Sequence, residues 1–235
     1  MAELVEGAPR RVLAIYAHPD DADVACAGTL ARWVKGGSEV HLVVCTDGAK
    51  GTSDALVGKS LARTRAGELS EAVAVLGIDE HQTLGMADGE LENTAELRRE
   101  FIGWIRRVRP DVVLGHDPTA IFFGQHYFNH HDHRGAGWAL LDALSPAAAL
   151  PQYHPTTGAA HQVEVAYLSG TLEPDVWVDI SDTIEAKIEA VGCHRSQLRD
   201  GTGWAEDIVR SRAAAEGSRA GVSYAEGFRR LFLAP

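Results

Sequence analysis

The sequence predicts an α/β fold: a Rossmann-like, mostly parallel sheet flanked by helices, forming a single domain over residues 1–235. Three observations support this. Short apolar runs rich in branched residues, at Val12 to Ile15, Val40 to Cys45 and Val112 to Leu114, read as strands buried on both faces. Stretches of helical period separate them. The strands end in polar or glycine-bearing turns, and open α/β sheets bind ligands at that edge.

Taken in order, the first strand stops at His18-Pro19, because proline has no N–H for a ladder bond. A helix over residues 23–35 follows, with Asp20 or Asp21 placed to cap it and Gly36-Gly37 to close it. The second strand, 40–45, completes a βαβ unit without a G-x-G-x-x-G, so a dinucleotide site lacks its main support. A polar loop over 47–58 leads to a helix at 61–76, then to a short strand near 81–84 and a loop at 85–93. Thr94 caps a helix to Val108, and Val112 to Leu114 is the fourth strand. A long loop over 116–129 precedes a helix at 131–143, and loops of that length are usually functional or mobile. Residues 145–161, rich in Pro, Ala and Gly, read as an irregular surface segment. Strands at 163–168 and 176–180, a helix capped by Ser181 and running to 193, and helices at 203–216 and 223–232 finish the chain.

A net charge of −11 argues against nucleic acid, whose recognition needs a basic surface, and leaves no basic patch for an anionic membrane. No apolar run approaches a bilayer span, and Met1 to Arg10 contain no apolar signal core. Cys26, Cys45 and Cys193 are far apart and odd in number, which fits buried thiols in a reducing cytoplasm rather than a disulfide framework. Trp33, Trp104 and Trp138 fall in amphipathic helices, where core packing accounts for them.

Two polar groups stand where a strand hands over to a helix: His18 with Asp20 and Asp21, and His130 with His133. Catalytic zinc sites keep three protein ligands and one open position, and two imidazoles with one carboxylate meet that count. Positions 130 and 133 share a helical face, whereas His131 points elsewhere. Adjacent aspartates suit divided labour, one on a metal and one accepting a proton from water. An Asp-Asp pair after a strand is also commonly a plain helix cap, and most of the eleven histidines need only structural roles. The two motifs together outweigh that reading. His116, ending the fourth strand, faces the site and reads either as a satisfied loop histidine or as a support or substrate contact there. His126, Tyr127 and Phe128 read as part of a substrate wall.

His18-Pro19-Asp20-Asp21 after an apolar strand, with the later His130-x-x-His133-Arg134, resembles the PIG-L/LmbE-like family of metal-dependent de-N-acetylases. The likeness continues through Thr46-Asp47-Gly48, Arg65-x-x-Glu68, Leu76-Gly77, Asp88-Gly89, Val178-Asp179-Ile180 and His194-Arg195-Ser196-Gln197. The resemblance implies that His18, Asp21 and His133 hold one Zn²⁺, with another divalent ion such as Fe²⁺ as a substitute. It implies that Asp20 is the general base and that His130 stabilises the oxyanion or protonates the leaving amine. Asp132 is expected to orient a neighbouring histidine, Arg65 to contact a polar or anionic part of the substrate, and Asp88 a sugar hydroxyl. His194 is expected to make a structural contact near the sheet. Two departures stand out: Ala22 where the family usually has Glu, and His131 where it usually has Pro.

The implied reaction is removal of an acetyl group from a small N-acetylglucosamine-containing conjugate by metal-activated water. The rival readings are an amidase of a related thiol conjugate, a non-catalytic metal- or sugar-binding module, and a two-metal phosphoesterase. The last needs more carboxylate ligands than the sequence places. The exposed loop rims would tolerate self-association into a homo-oligomer.

Overall fold

The computed structural model describes residues 2–52, 58–198 and 203–233. The chain runs β1 (Glu3–Leu4), β2 (Arg11–Tyr16), α1 (Asp21–Lys35), β3 (Glu39–Thr46), α2 (Gly58–Leu76), β4 (Glu80–Met86), α3 (Ala95–Val108) and β5 (Val112–His116). There follow β6 (Phe122–Phe123), β7 (Tyr127–Phe128), α4 (His131–Asp142), β8 (Val165–Ser169), β9 (Val176–Asp179), α5 (Ile184–Cys193), α6 (Gly203–Ala220) and β10 (Ala225–Phe232).

Alternation along β2 explains why it lies inside the sheet. Val12, Ala14 and Tyr16 pack into one core with α1, α2, α5 and α6, while Leu13 and Ile15 pack into the other with α3 and α4. Both faces are apolar, so the strand needs cover on both sides. Eight strands pair in the order β1-β9-β10-β8-β5-β2-β3-β4. β2 pairs in parallel with β3 on one side and β5 on the other. The first crossover goes to β3 and the later chain returns to β5. The carboxyl ends of β2 and β5 therefore form a topological switch point, where a ligand crevice opens.

From β2 through α4 the strand-and-helix plan matches the sequence reading, which had no counterpart of β1, and Thr94 caps α3 by accepting from the Leu97 amide. Five details differ. Residues 225–232 form a strand, not a helix: β8 and β9 leave a slot between them, and β10 fills it antiparallel to both. Tyr224, Phe228 and Phe232 are spaced like a helical stripe, but an open sheet edge on each side overrides local spacing. α5 begins after Thr183, and Ser181 Oγ donates to Asp179 instead of capping it. The loop after β5 contains the small β6–β7 hairpin. Trp138 lies 45% exposed on α4, whereas Trp33 and Trp104 are buried. Finally, Ala147 and Ala148 in the irregular segment are buried, and the Arg106 guanidinium gathers its carbonyls from Ala147, Ala148, Leu150 and His154. Part of the 47–58 loop (53–57) lies outside the described residues.

Candidate metal centre

His18, just past the end of β2, is fixed by its own turn: its amide donates to Asp21 Oδ2 at 2.7 Å. Asp20 occupies the N-cap position of α1 yet makes no capping bond. Its Oδ1 accepts instead from Arg65 Nη2 at 2.6 Å. Arg65 is 3% exposed and also donates to the Gly48 carbonyl. Gly48 has φ +64°, and a Cβ there would lie 2.5 Å from Arg65 Nη1. Glycine at 48 is therefore required twice, for the left-handed backbone and for the passage of the guanidinium.

The inward-facing atoms converge. His18 Nδ1 lies 3.1 Å from Asp21 Oδ2 and 3.2 Å from His133 Nε2, and His133 Nε2 lies 3.1 Å from Asp21 Oδ1. Their outward-facing partners assign the protons. Asn129 Nδ2 donates to the Ala120 carbonyl, which turns Oδ1 toward His133 Nδ1 at 3.2 Å. An amide oxygen only accepts, so Nδ1 of His133 carries the hydrogen and Nε2 presents a lone pair. His18 Nε2 faces Asp132 Oδ2 at 3.2 Å and Asp88 Oδ1 at 3.3 Å, so it donates outward and Nδ1 of the neutral ring presents a lone pair inward. With both rings neutral, three acceptors face one another, an arrangement that a proton or a metal ion would satisfy. Donors on a tetrahedral zinc with bonds of about 2.0–2.1 Å stand roughly 3.3 Å apart, close to the separations here. The residues present fit a zinc ion.

The electrostatics favour a positive charge at this point, carried by a proton or by a metal ion. Burial opposes a charged His18, but its bonds to Asp132, Asp21 and Asp88 outweigh that and raise the imidazole to about 12. Burial likewise opposes charge on Asp21, and the neighbouring His133 and His116 hold its carboxyl well below the usual range. This corner of the fold favours positive charge. Asp132, fully buried, accepts from the Gly89 and Leu91 amides as well as facing His18. Burial opposes its ionisation too, but the bonds from His18 and those amides bring it down to about 2.

His130 sits on the rim. Its Nδ1 accepts from the Asp132 amide at 3.2 Å, so the neutral ring carries its hydrogen on Nε2. The ring meets His18 edge-on, with centroids 4.7 Å apart. Burial, together with His18 and His133, lowers its pKa and favours that neutral form. His131 is exposed, as its helical position predicts.

Two further side chains enter the site: His116, whose role the sequence left open, and Asn129, which it did not single out. His116 stacks on His133 with centroids 4.0 Å apart, and its Nε2 lies 3.2 Å from Asp21 Oδ2. Burial and the neighbouring His133 push it down to about 4. Its signal was a histidine ending a buried strand one position before Asp-Pro, an echo of His18-Pro19. Asn129 had no signal beyond adjacency to His130. Donor atoms of three sets, His18/His130/His133, Asp21/His116/His133 and His18/Asp88/Asp132, lie within 4.8 Å of one another. Arg65 and Asp88 both face protein side chains at the site: Arg65 meets Asp20, and Asp88 meets His18 while accepting from the Lys50 amide. His194, expected to be structural, pairs with buried Asp23 at 2.7 Å.

A parallel sheet whose switch point gathers two imidazoles and a carboxylate around a cation-sized gap defines a metallohydrolase type of centre. Residues 13–144 match the PIG-L family, described as GlcNAc-PI de-N-acetylase, and the chain belongs to that family. It is 35% identical to the diacetylchitobiose deacetylase of Thermococcus kodakarensis over 94% of this chain and 82% of that protein. It is 30% identical to a 1D-myo-inositol 2-acetamido-2-deoxy-alpha-D-glucopyranoside deacetylase of Saccharopolyspora erythraea, over 76% of this chain and 68% of that one. The structure of N,N'-diacetylchitobiose deacetylase from Pyrococcus horikoshii superposes with a TM-score of 0.86 at 32% identity, over 95% of this chain and 84% of that one.

Proposed function

We propose that this chain, as one catalytic domain over residues 1–235, is a zinc-dependent N-deacetylase acting on a small N-acetylglucosamine-containing conjugate. One observation carries the reading: His18, Asp21 and His133 converge, while the neighbouring carboxylate, Asp20, caps no helix and is held by Arg65 instead. A purely metal-binding module has no use for that second carboxylate. The relatives named above, deacetylases of chitobiose and of a glucosamine–inositol conjugate, support the substrate class.

His18, Asp21 and His133 would hold one Zn²⁺ per chain. When bound, that ion supplies Lewis acidity and lowers the pKa of water to about 7. Asp20 accepts the proton of the attacking water, its orientation fixed through Oδ1 by Arg65. His130 offers Nε2–H to the developing oxyanion, and the proton that Asp20 took from water passes to the departing amine. Asp132 and Asp88 hold His18 in the tautomer that presents Nδ1. We assign Arg65 and Asp88 to positioning, because both are buried against site side chains. Three buried free thiols are consistent with a reducing cytoplasm.

Acetate release from N,N'-diacetylchitobiose and from glucosamine-linked inositol substrates tests the proposal, with metal content measured in parallel. Release should vanish on chelation and return with one equivalent of Zn²⁺. Zinc-loaded protein that releases no acetate from any N-acetylglucosamine conjugate, or a metal-free protein that still does, overturns it.

A further inference from the structure

Helix α1, which opens with Asp21, is broken. Cys26 has φ −146° and ψ 17°, outside the helical region, so residues 21–25 form a separate first turn. In an unbroken helix the Gly28 amide would bond the Val24 carbonyl. Here the Gly28 and Thr29 amides donate to Glu226 Oε1 and Oε2 at 3.1 and 2.7 Å. The Val24 carbonyl takes Lys187 Nζ at 2.8 Å, and the same ammonium meets Glu226 Oε1 at 2.5 Å. Lys187 and Glu226 are each 5% exposed. One ion pair thus replaces a missing helix bond at both of its ends, with the acid supplied by β10 and the base by α5. The Gly28 carbonyl is tied down as well, by Thr183 Oγ1 at 2.8 Å.

A buried pair gains little net stability, because desolvation offsets most of the attraction. What this one delivers is direction for the turn beyond the break. That turn carries Asp21 and, at its N-cap, Asp20. We infer that Lys187 and Glu226 are positioning residues: they hold the break in α1 open at the angle that aims Asp21 at His18 and His133. The inference rests on the metal reading above.

The test compares the parent with Lys187→Met/Glu226→Gln, which removes both charges together, and with each single substitution. Zinc affinity is read by competition with a chromophoric chelator, kcat and KM by acetate release, and local order by hydrogen exchange. The expected result is a folded double variant with about 10- to 100-fold weaker zinc binding and lowered kcat, as for other supports behind a metal ligand. KM is expected to stay near the parent value, and exchange to accelerate in residues 21–29 beyond the rest of α1. Each single variant should be worse than the double, because it strands one buried charge. Parent-like zinc affinity, kcat and local exchange in the double variant, with only a lowered Tm, overturns the positioning role. Should the parent itself bind no zinc, the metal reading fails separately, and the exchange pattern alone still decides whether the pair holds the turn.

Discussion

The floor and the rim of the site are built on opposite plans. On the floor, His18 and His133 are engaged on both ring nitrogens and Asp21 on both oxygens, so neither rotamer nor tautomer is left to chance. On the rim, the β6–β7 hairpin exposes aromatic surface, with Phe122 67% and Phe128 55% exposed. Phe128 is held by neighbours of modest strength: Phe122 with ring centroids 5.6 Å away, and the Arg134 guanidinium 4.5 Å from its centre. The floor is determined by polar contacts that leave one arrangement. The rim is apolar and accessible, and on the proposed function it would meet the sugar. On that reading chemistry and selectivity would be separated in space, although Asn129 belongs to both regions: its amide and Nδ2 pin the hairpin stem at Ile121 and Ala120 while Oδ1 meets His133.

Breaking the floor gives the largest effect. His133→Ala should leave a folded protein with under a tenth of its metal and no measurable turnover, read by elemental analysis. Asp20→Asn should retain full metal while losing roughly 10²–10⁴ in kcat, the usual worth of a general base. A metal-replete, active His133→Ala protein would refute the ligand assignment. At the junction, Asn129→Leu removes the acceptor that fixes the His133 tautomer, and about a 10- to 100-fold loss in zinc affinity is expected by chelator competition. At the rim, Phe128→Ala should shift stability by less than about 0.5 kcal/mol, as surface changes do. Loss of aromatic contact worth about 0.5–1.5 kcal/mol would raise KM for a disaccharide roughly 2- to 12-fold, with kcat unchanged. A kcat loss from Phe128→Ala larger than that from Asn129→Leu would invert the comparison.

The same contrast explains what the sequence could reveal. Strand β2, its stop at Pro19 and the spacing of His130 and His133 are local patterns, and each states its own geometry. Even so, the pairing of Asp20 with Arg65 rather than with the amides of α1 depends on a partner 45 positions away. β10 was illegible because only the gap between β8 and β9 makes residues 225–232 a strand. Trp138 fits an amphipathic helix equally well on either face, and tertiary packing left it outside. Asn129, Lys187 and Glu226 have no signature at all, since a single polar side chain acquires meaning only from what the fold brings against it.

The seal across the break in α1 also has a temporal side. The acceptor for the Gly28 amide comes from a strand that follows 198 positions later in the chain. During synthesis from the ribosome, the Gly28 and Thr29 amides therefore lack this acceptor until β10 has been made. A nascent polypeptide that has made His18, Asp21 and His133 still lacks the clasp that, on the inference above, aims Asp21. On that inference, a metal would bind at full strength only once β10 is in place.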